Sequence, residues 1–321
     1  MWLFIALFSY LISAGVYTAD KFMLSNKFHS SITYTFFVGI WSVFNFFILI
    51  LDPWFPNWQQ LAVGMSAGFL FLVTLVFWYK ALHQSEATRV VPIVGALIPI
   101  FSFLLSFLFL GQTLGERQFL AFAVLIIGGI LISAKYTRFY ILNEIKESLK
   151  NVFGGTLGGI HAHYRPSSRL LRNSVIAAFL FASYFVLIKY VYMTQPFIGG
   201  FVWSRLGSFV GVLLILLVPD WRKMIKKKQK HGRSPKSLPF FFGVRLSAAL
   251  AFILLNWAIS MGNVALINSL KGTQYLFLLL IVFVLSAKFP RVLKEELRGG
   301  VLMQKVLGTF LIGIGLYMLM I

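Results

Sequence analysis

The chain has 321 residues, of which 59% are hydrophobic and only 12% charged, with a mean hydropathy of +0.84. A soluble domain of this length could not bury that much apolar surface, and with no cysteine the chain has no disulfide framework and no thiol or Cys-metal chemistry. The net charge of +20 would suit a nucleic-acid partner, but its placement, in short connections beside apolar runs, speaks for membrane orientation and contact with anionic lipid instead.

Crossing a bilayer takes about 20 apolar residues per helix, and backbone groups in lipid must be satisfied within their own segment, which favours helices over strands. The apolar runs predict ten spans, near residues 2–19, 32–51, 61–79, 90–110, 119–134, 174–193, 197–218, 239–261, 264–287 and 306–321. The first stretch has no basic residue ahead of it, so it reads as a span and not as a cleavable signal peptide. Of the 29 Lys and Arg, 25 fall in the odd-numbered connections, and Arg117 alone falls in the even ones. The positive-inside rule then puts the odd connections in the cytoplasm and both termini outside, for an integral multi-pass protein of the inner (plasma) membrane. Arg245 sits just inside the eighth run and is expected to snorkel to the inner face.

The fifth connection, residues 135–172, divides the chain into halves at 1–134 and 173–321. Its Phe139, Leu142, Ile145, Leu149 and Val152 recur at helical spacing beside Lys146 and Lys150, as in an amphipathic helix on the inner membrane surface or an ordered linker. Gly154, Gly155, Gly158 and Gly159 have no strand before them, so they form a flexible break and not a phosphate loop. His161 and His163 have no nearby Cys or acid to complete a metal site. The Lys226–Lys228 run is a lipid-facing cluster. No cofactor is expected.

Five runs precede this linker and five follow it, so the halves face opposite ways, the inverted-repeat layout of many secondary transporters. Ala14 to Lys21 echoes Ala182 to Lys189, and Gln118 to Gly129 echoes Gln304 to Gly315 at the same internal spacing. The segment Ala81-Leu82, Ala87, Pro92, Pro99, Leu110-Gly111, Glu116, Gln118 and Gly128-Gly129 resembles the fourth- and fifth-span signature of EamA-like carriers of the drug/metabolite transporter superfamily. Lys21, Lys189 and Arg205 also stand where that family often has basic residues. The second half departs from the pattern, with a long basic stretch from Lys288 to Gly300 and Tyr275 where the fourth span has proline. The resemblance implies a ten-helix all-α carrier that exports metabolites, often with its termini inside, whereas the charge count puts them outside.

Ionisable groups inside spans are costly and mark function. Lys189, Arg205 and Lys271 qualify, the latter two roughly 10–12 Å and the first roughly 6 Å below the outer boundary at 1.5 Å per residue. At similar depth they could line one vestibule; alternatively Lys189 snorkels, and Arg205 and Lys271 bond helix C-terminal carbonyls. No Asp or Glu is expected in a span core. That disfavours a proton-coupled multidrug cation exporter and suits an anionic or carboxylate-bearing substrate, which a guanidinium holds in a bidentate pair. Tyr17, Trp78, Tyr184, Asn256, Trp257 and Gln274 could complete the pocket, among apolar walls. Pro92 and Pro99 should bend the fourth span and free carbonyls near the membrane centre. The five His all fall in connections, which disfavours a membrane-embedded transferase. The expectation is a secondary carrier of a small anionic or zwitterionic metabolite, working by alternating access.

Overall fold

The computed structural model describes residues 1–26, 30–84, 87–133, 168–226, 237–288 and 299–320, all in helices and the short turns between them, with no strand among them. The expected amphipathic segment at 139–152, the paired histidines and Lys227–Lys228 lie outside the described residues. In chain order the elements are α1 (Trp2–Asn26), α2 (Ser31–Ile40) continued by a 3-10 helix (Trp41–Ile50), α3 (Trp58–Gln84), α4 (Ala87–Leu110), α5 (Glu116–Ser133), α6 (Ser168–Thr194), α7 (Phe197–Leu217), a short α8 (Pro219–Lys226), α9 (Ser237–Met261), α10 (Val264–Ser269), α11 (Lys271–Lys288) and α12 (Gly299–Met320).

Seven of these segments are long and apolar enough to cross a membrane: Trp2–Asp20, Ser31–Ile50, Trp58–Gln84, Ile93–Leu110, Arg169–Thr194, Phe197–Leu217 and Pro239–Met261. Val306–Met320 is a shorter apolar helix. The protein is therefore an all-α, multi-pass membrane protein. Large apolar side chains such as Phe4, Phe47, Phe109, Leu246 and Phe310 stand exposed around the bundle, as lipid contact requires.

Two expected spans differ in form. The second changes from α to 3-10 winding at Trp41. The ninth is broken at Leu270, and side-chain donors explain the break. The Ser269 and Thr273 hydroxyls take the Leu266 and Leu270 carbonyls at 2.7 Å, and the Tyr10 hydroxyl takes the Ile267 carbonyl at 3.0 Å. Carbonyls engaged in this way weaken the i to i−4 ladder. Asn263 caps the short α10 by accepting from the Ala265 and Leu266 amides.

Packing follows from small residues. Gly64 and Gly68 of α3 face Ser204 of α7, while Gly207 meets the Met65 backbone and Gly211 meets Leu72. The Ser208 hydroxyl donates to the Gly68 carbonyl at 2.7 Å. Without side chains in the way, the two backbones approach closely, which is how membrane helices gain dispersion energy in the absence of a hydrophobic drive. Gly129 of α5 packs on Gly272 of α11 in the same manner, and Gly315 of α12 packs on Leu125. α1 lies against α9 and α11, α6 against α3 and α4, and α5 against α12.

Candidate functional site

Near the middle of the bundle α7 carries Arg205, 4% exposed. Its guanidinium lies between the rings of Phe71 from α3 and Phe252 from α9, each 4.6 Å from the ring centre, with Phe201 at 5.5 Å and Tyr184 at 5.7 Å. Nη2 donates to the Tyr184 hydroxyl at 3.0 Å. That hydroxyl donates to Asn256 Oδ1 at 3.1 Å, and Tyr192 donates to the same oxygen at 2.9 Å. Asn256 Nδ2 returns to the Phe252 carbonyl at 2.8 Å. Arg205 Nε is buried without a hydrogen-bond partner. No carboxylate balances this cation: Asp20 is the only buried acid among the described residues, and it is bound elsewhere. Ring quadrupoles offset part of the charge, but a buried cation with no counter-ion remains costly. An arriving anion would remove that cost.

A second cluster gathers around Lys271, the first residue of α11 after the break. Its Nζ lies 5.3 Å from the Phe181 ring centre. Trp78 packs on Phe181 at 5.9 Å and on Tyr17 at 5.6 Å, Tyr17 neighbours Gln274, and Gln274 Nε2 is buried without a partner. The two clusters touch through the ring contacts Tyr184–Phe185 (5.3 Å) and Phe185–Phe181 (6.1 Å).

The residues expected to form one pocket thus separate. Arg205, Tyr184 and Asn256 come together; Lys271, Trp78, Tyr17 and Gln274 form the neighbouring group. Lys189 joins neither, because its ammonium donates to the Ser260 carbonyl in the last turn of α9 at 3.0 Å, a helix C-terminal contact of the kind a cation favours. The single basic vestibule is replaced by three cations in separate settings. Trp257 is 40% exposed on the outside of α9. α4 remains helical through Pro92 and Pro99, and Pro99 helps line a small cavity with Gly95, Tyr275, Gly129 and Gly272.

A third constellation was not anticipated. Arg245 does not snorkel: it is 5% exposed and paired with Asp20, which lies in the fifth turn of α1 and is 7% exposed. The Tyr34 hydroxyl donates to Asp20 Oδ1 at 2.7 Å, and Arg245 Nη2 also reaches that hydroxyl at 3.1 Å. Tyr79 packs edge-on to Tyr34, ring centres 4.8 Å apart, and stands beside Arg245. The sequence signal was an acid and a base at matching depths of two apolar helices, each near a helix end that flanks a basic connection.

Residues 1–134 match the EamA-like transporter family. Over that stretch the chain is similar to that family. The matched stretch carries Asp20, Tyr34, Phe71, Trp78 and Tyr79, so both clusters and the ion pair draw side chains from it. No curated protein matches the chain. Twelve solved chains do. One, titled "Crystal structure of protein", aligns with a TM-score of 0.62 over 98% of this chain and 97% of its own, at 13% identity. At that identity the likeness speaks for the fold of this chain and nothing further.

Proposed function

We propose that this protein is a secondary transporter that moves a small anionic or zwitterionic metabolite, of amino-acid or organic-acid type, by alternating access across the inner membrane in the export direction. The observation that carries this reading is Arg205, a buried cation set among four rings with one hydrogen bond, an unused Nε–H and no acid. A guanidinium with donors to spare is suited to a substrate carboxylate, and the hydroxyls of Tyr184 and Tyr192 and the amide of Asn256 supply neutral polar partners beside it. Lys271, one ring contact away, offers a second positive charge.

The helix contacts support two inverted halves of five spans each. Exchanging the first helix for the sixth, the third for the eighth and the fourth for the ninth turns the α6 contacts with α3 and α4 into the α1 contacts with α9 and α11. The α5–α12 pair maps onto itself. Such halves can rock about a fixed central site, and the charge bias supports cytoplasmic basic connections held against anionic lipid, with both termini outside. A lipophilic-cation exporter would need a free buried carboxylate, and Asp20 is engaged by Arg245.

The test is ligand-induced thermal stabilisation of the purified protein with amino acids, organic acids, sugar phosphates, nucleotides and lipophilic cations at matched ionic strength. A saturating anionic or zwitterionic ligand at about 100 times its Kd should contribute about 2.7 kcal/mol, and Arg205→Ala should abolish the shift while leaving the protein extractable and monodisperse. Stabilisation by lipophilic cations alone, or an undiminished shift in Arg205→Ala, would defeat the proposal.

A further inference from the structure

Asp20 and Arg245 form a buried ion pair that the Arg205 site does not use. The pair joins α1 of the first half to α9 of the second, and α2 and α3 close around it through Tyr34 and Tyr79. Other contacts set it at one end of the bundle. Asn173, in the first turns of α6, donates to Gln84 in the last turn of α3 at 2.9 Å, and Thr33 of α2 donates to the Met224 carbonyl of α8 at 3.2 Å. The helix ends brought together here flank basic connections of the sequence, so this is the cytoplasmic end in the orientation proposed above.

A carboxylate can be neutralised by one proton, whereas a guanidinium keeps its charge at any physiological pH. Asp20 Oδ1 accepts from both Arg245 and Tyr34, so a single protonation weakens the links to α9 and α2 together. Among the described side chains, the titratable and charged groups around it are Arg245 from α9, Tyr34 from α2, Tyr79 from α3 and Tyr17 on α1 itself. From α11, Tyr275 lies towards Tyr10 and Tyr17. None of these is a second carboxylate that could take the proton in its place.

We propose that Asp20 is a proton-controlled latch: as the carboxylate it holds α1, α2, α3 and α9 closed at the cytoplasmic end, and on binding a proton from water it releases Arg245 and lets that end open. The ligand is a proton, no other bond is made or broken, and the released Arg245 keeps its contacts with the Tyr34 and Phe241 rings, 5.6 Å from each centre. The inference rests on the transporter reading for its purpose, but its test needs no substrate.

The natural chain has no cysteine, so His83→Cys on α3 and Leu246→Cys on α9, both exposed, give two clean spin-label positions. Distances between them would be measured in lipid nanodiscs by pulsed electron resonance from pH 8 to pH 5. The expected result is a short distance at high pH that gives way to a longer one as pH falls, the ratio of the two changing by up to about tenfold per pH unit for one linked proton. Asp20→Asn should hold the longer distance at every pH, and Asp20→Glu should still titrate. Tyr34→Phe removes a hydrogen bond from the charged form, so it should move the midpoint to higher pH; this milder variant decides the matter if Asp20→Asn does not fold. A distance that ignores pH, an Asp20→Asn that titrates as the parent does, or a Tyr34→Phe midpoint that stays in place overturns the proposal. If the distance titrates but no ligand stabilises the protein through Arg205, the latch stands and the substrate site fails; the reverse result separates them the other way.

Discussion

At the residue scale, the buried polar groups differ in what holds them. Lys189 satisfies a helix end, so Lys189→Met should cost about 1 kcal/mol, the usual worth of such a bond. It should lower the melting temperature while leaving ligand stabilisation intact, because Lys189 bonds a backbone carbonyl and not a side chain of the Arg205 cluster. Asn256 is a different case. Its Oδ1 accepts from Tyr184 and Tyr192 at once, so Asn256→Leu strands two buried hydroxyls at about 1–3 kcal/mol for each group left unmet. Because Tyr184 also accepts from Arg205, that variant should weaken ligand binding as well as stability, which separates it from Lys189→Met in the same thermal assay. The chemistry of Arg205, Tyr184 and Asn256 was legible in the sequence because each is a polar group within an apolar run. The faces were not. Asn256 and Trp257 are neighbours in sequence, yet one step of about 100° around a helix turns the first inward and leaves the second exposed. Nor could the rings of Phe71, Phe201 and Phe252 be singled out among 35 phenylalanines.

At the element scale, the bundle depends on close helix crossings. A Cβ on Gly68 would collide with the Ser204 carbonyl, and one on Gly207 with the Met65 carbonyl; backbone atoms cannot step aside as a flexible side chain can. Gly68→Val should therefore separate α3 from α7 and break the Ser208 bond, at a cost of about 1–3 kcal/mol or more from overpacking, and thermal unfolding in detergent would register it. Gly313 is a control, since nothing stands within 4 Å of a Cβ there: Gly313→Ala should leave the melting temperature unchanged or raised. Run length made most helices legible. The break at Leu270 was not, because it depends on Ser269, Thr273 and Tyr10 hydroxyls meeting particular carbonyls, and Tyr10 is more than 250 positions away in sequence. Arg245 was misjudged for the same reason: its partner, Asp20, lies 225 positions away, so a snorkelling side chain and a paired one look alike along the chain.

At the scale of the whole molecule, the orientation decides which side each cluster serves. Charge alone argues for it: 24 of 29 basic residues lie in alternate connections once Arg245 is placed within α9, and Lys and Arg resist translocation where Asp and Glu do so weakly. If the basic end is cytoplasmic, the Asp20–Arg245 pair closes the inner side, while the glycine crossing of α3 on α7 lies further out, at Gly64 and Gly68 in the outer half of α3 and about Gly207 in the middle of α7. The counterpart of that crossing under exchange of the halves is α2 with α9. There Trp41 meets Phe241 and Phe242 at ring-centre distances of 6.3 and 4.9 Å, a contact of side chains and not of backbones. Contacts of unequal build in the two halves suit a protein that opens one end at a time. The arrangement fails if the chain is inserted the other way. A fluorescent protein that matures only in the cytoplasm, fused after Ile321, should remain dark, while a phosphatase active only outside should report there. A bright fusion would reverse the sides: the ion pair would then face outward, its protons would come from the external medium, and the export direction would lose its support even if Arg205 still bound the substrate.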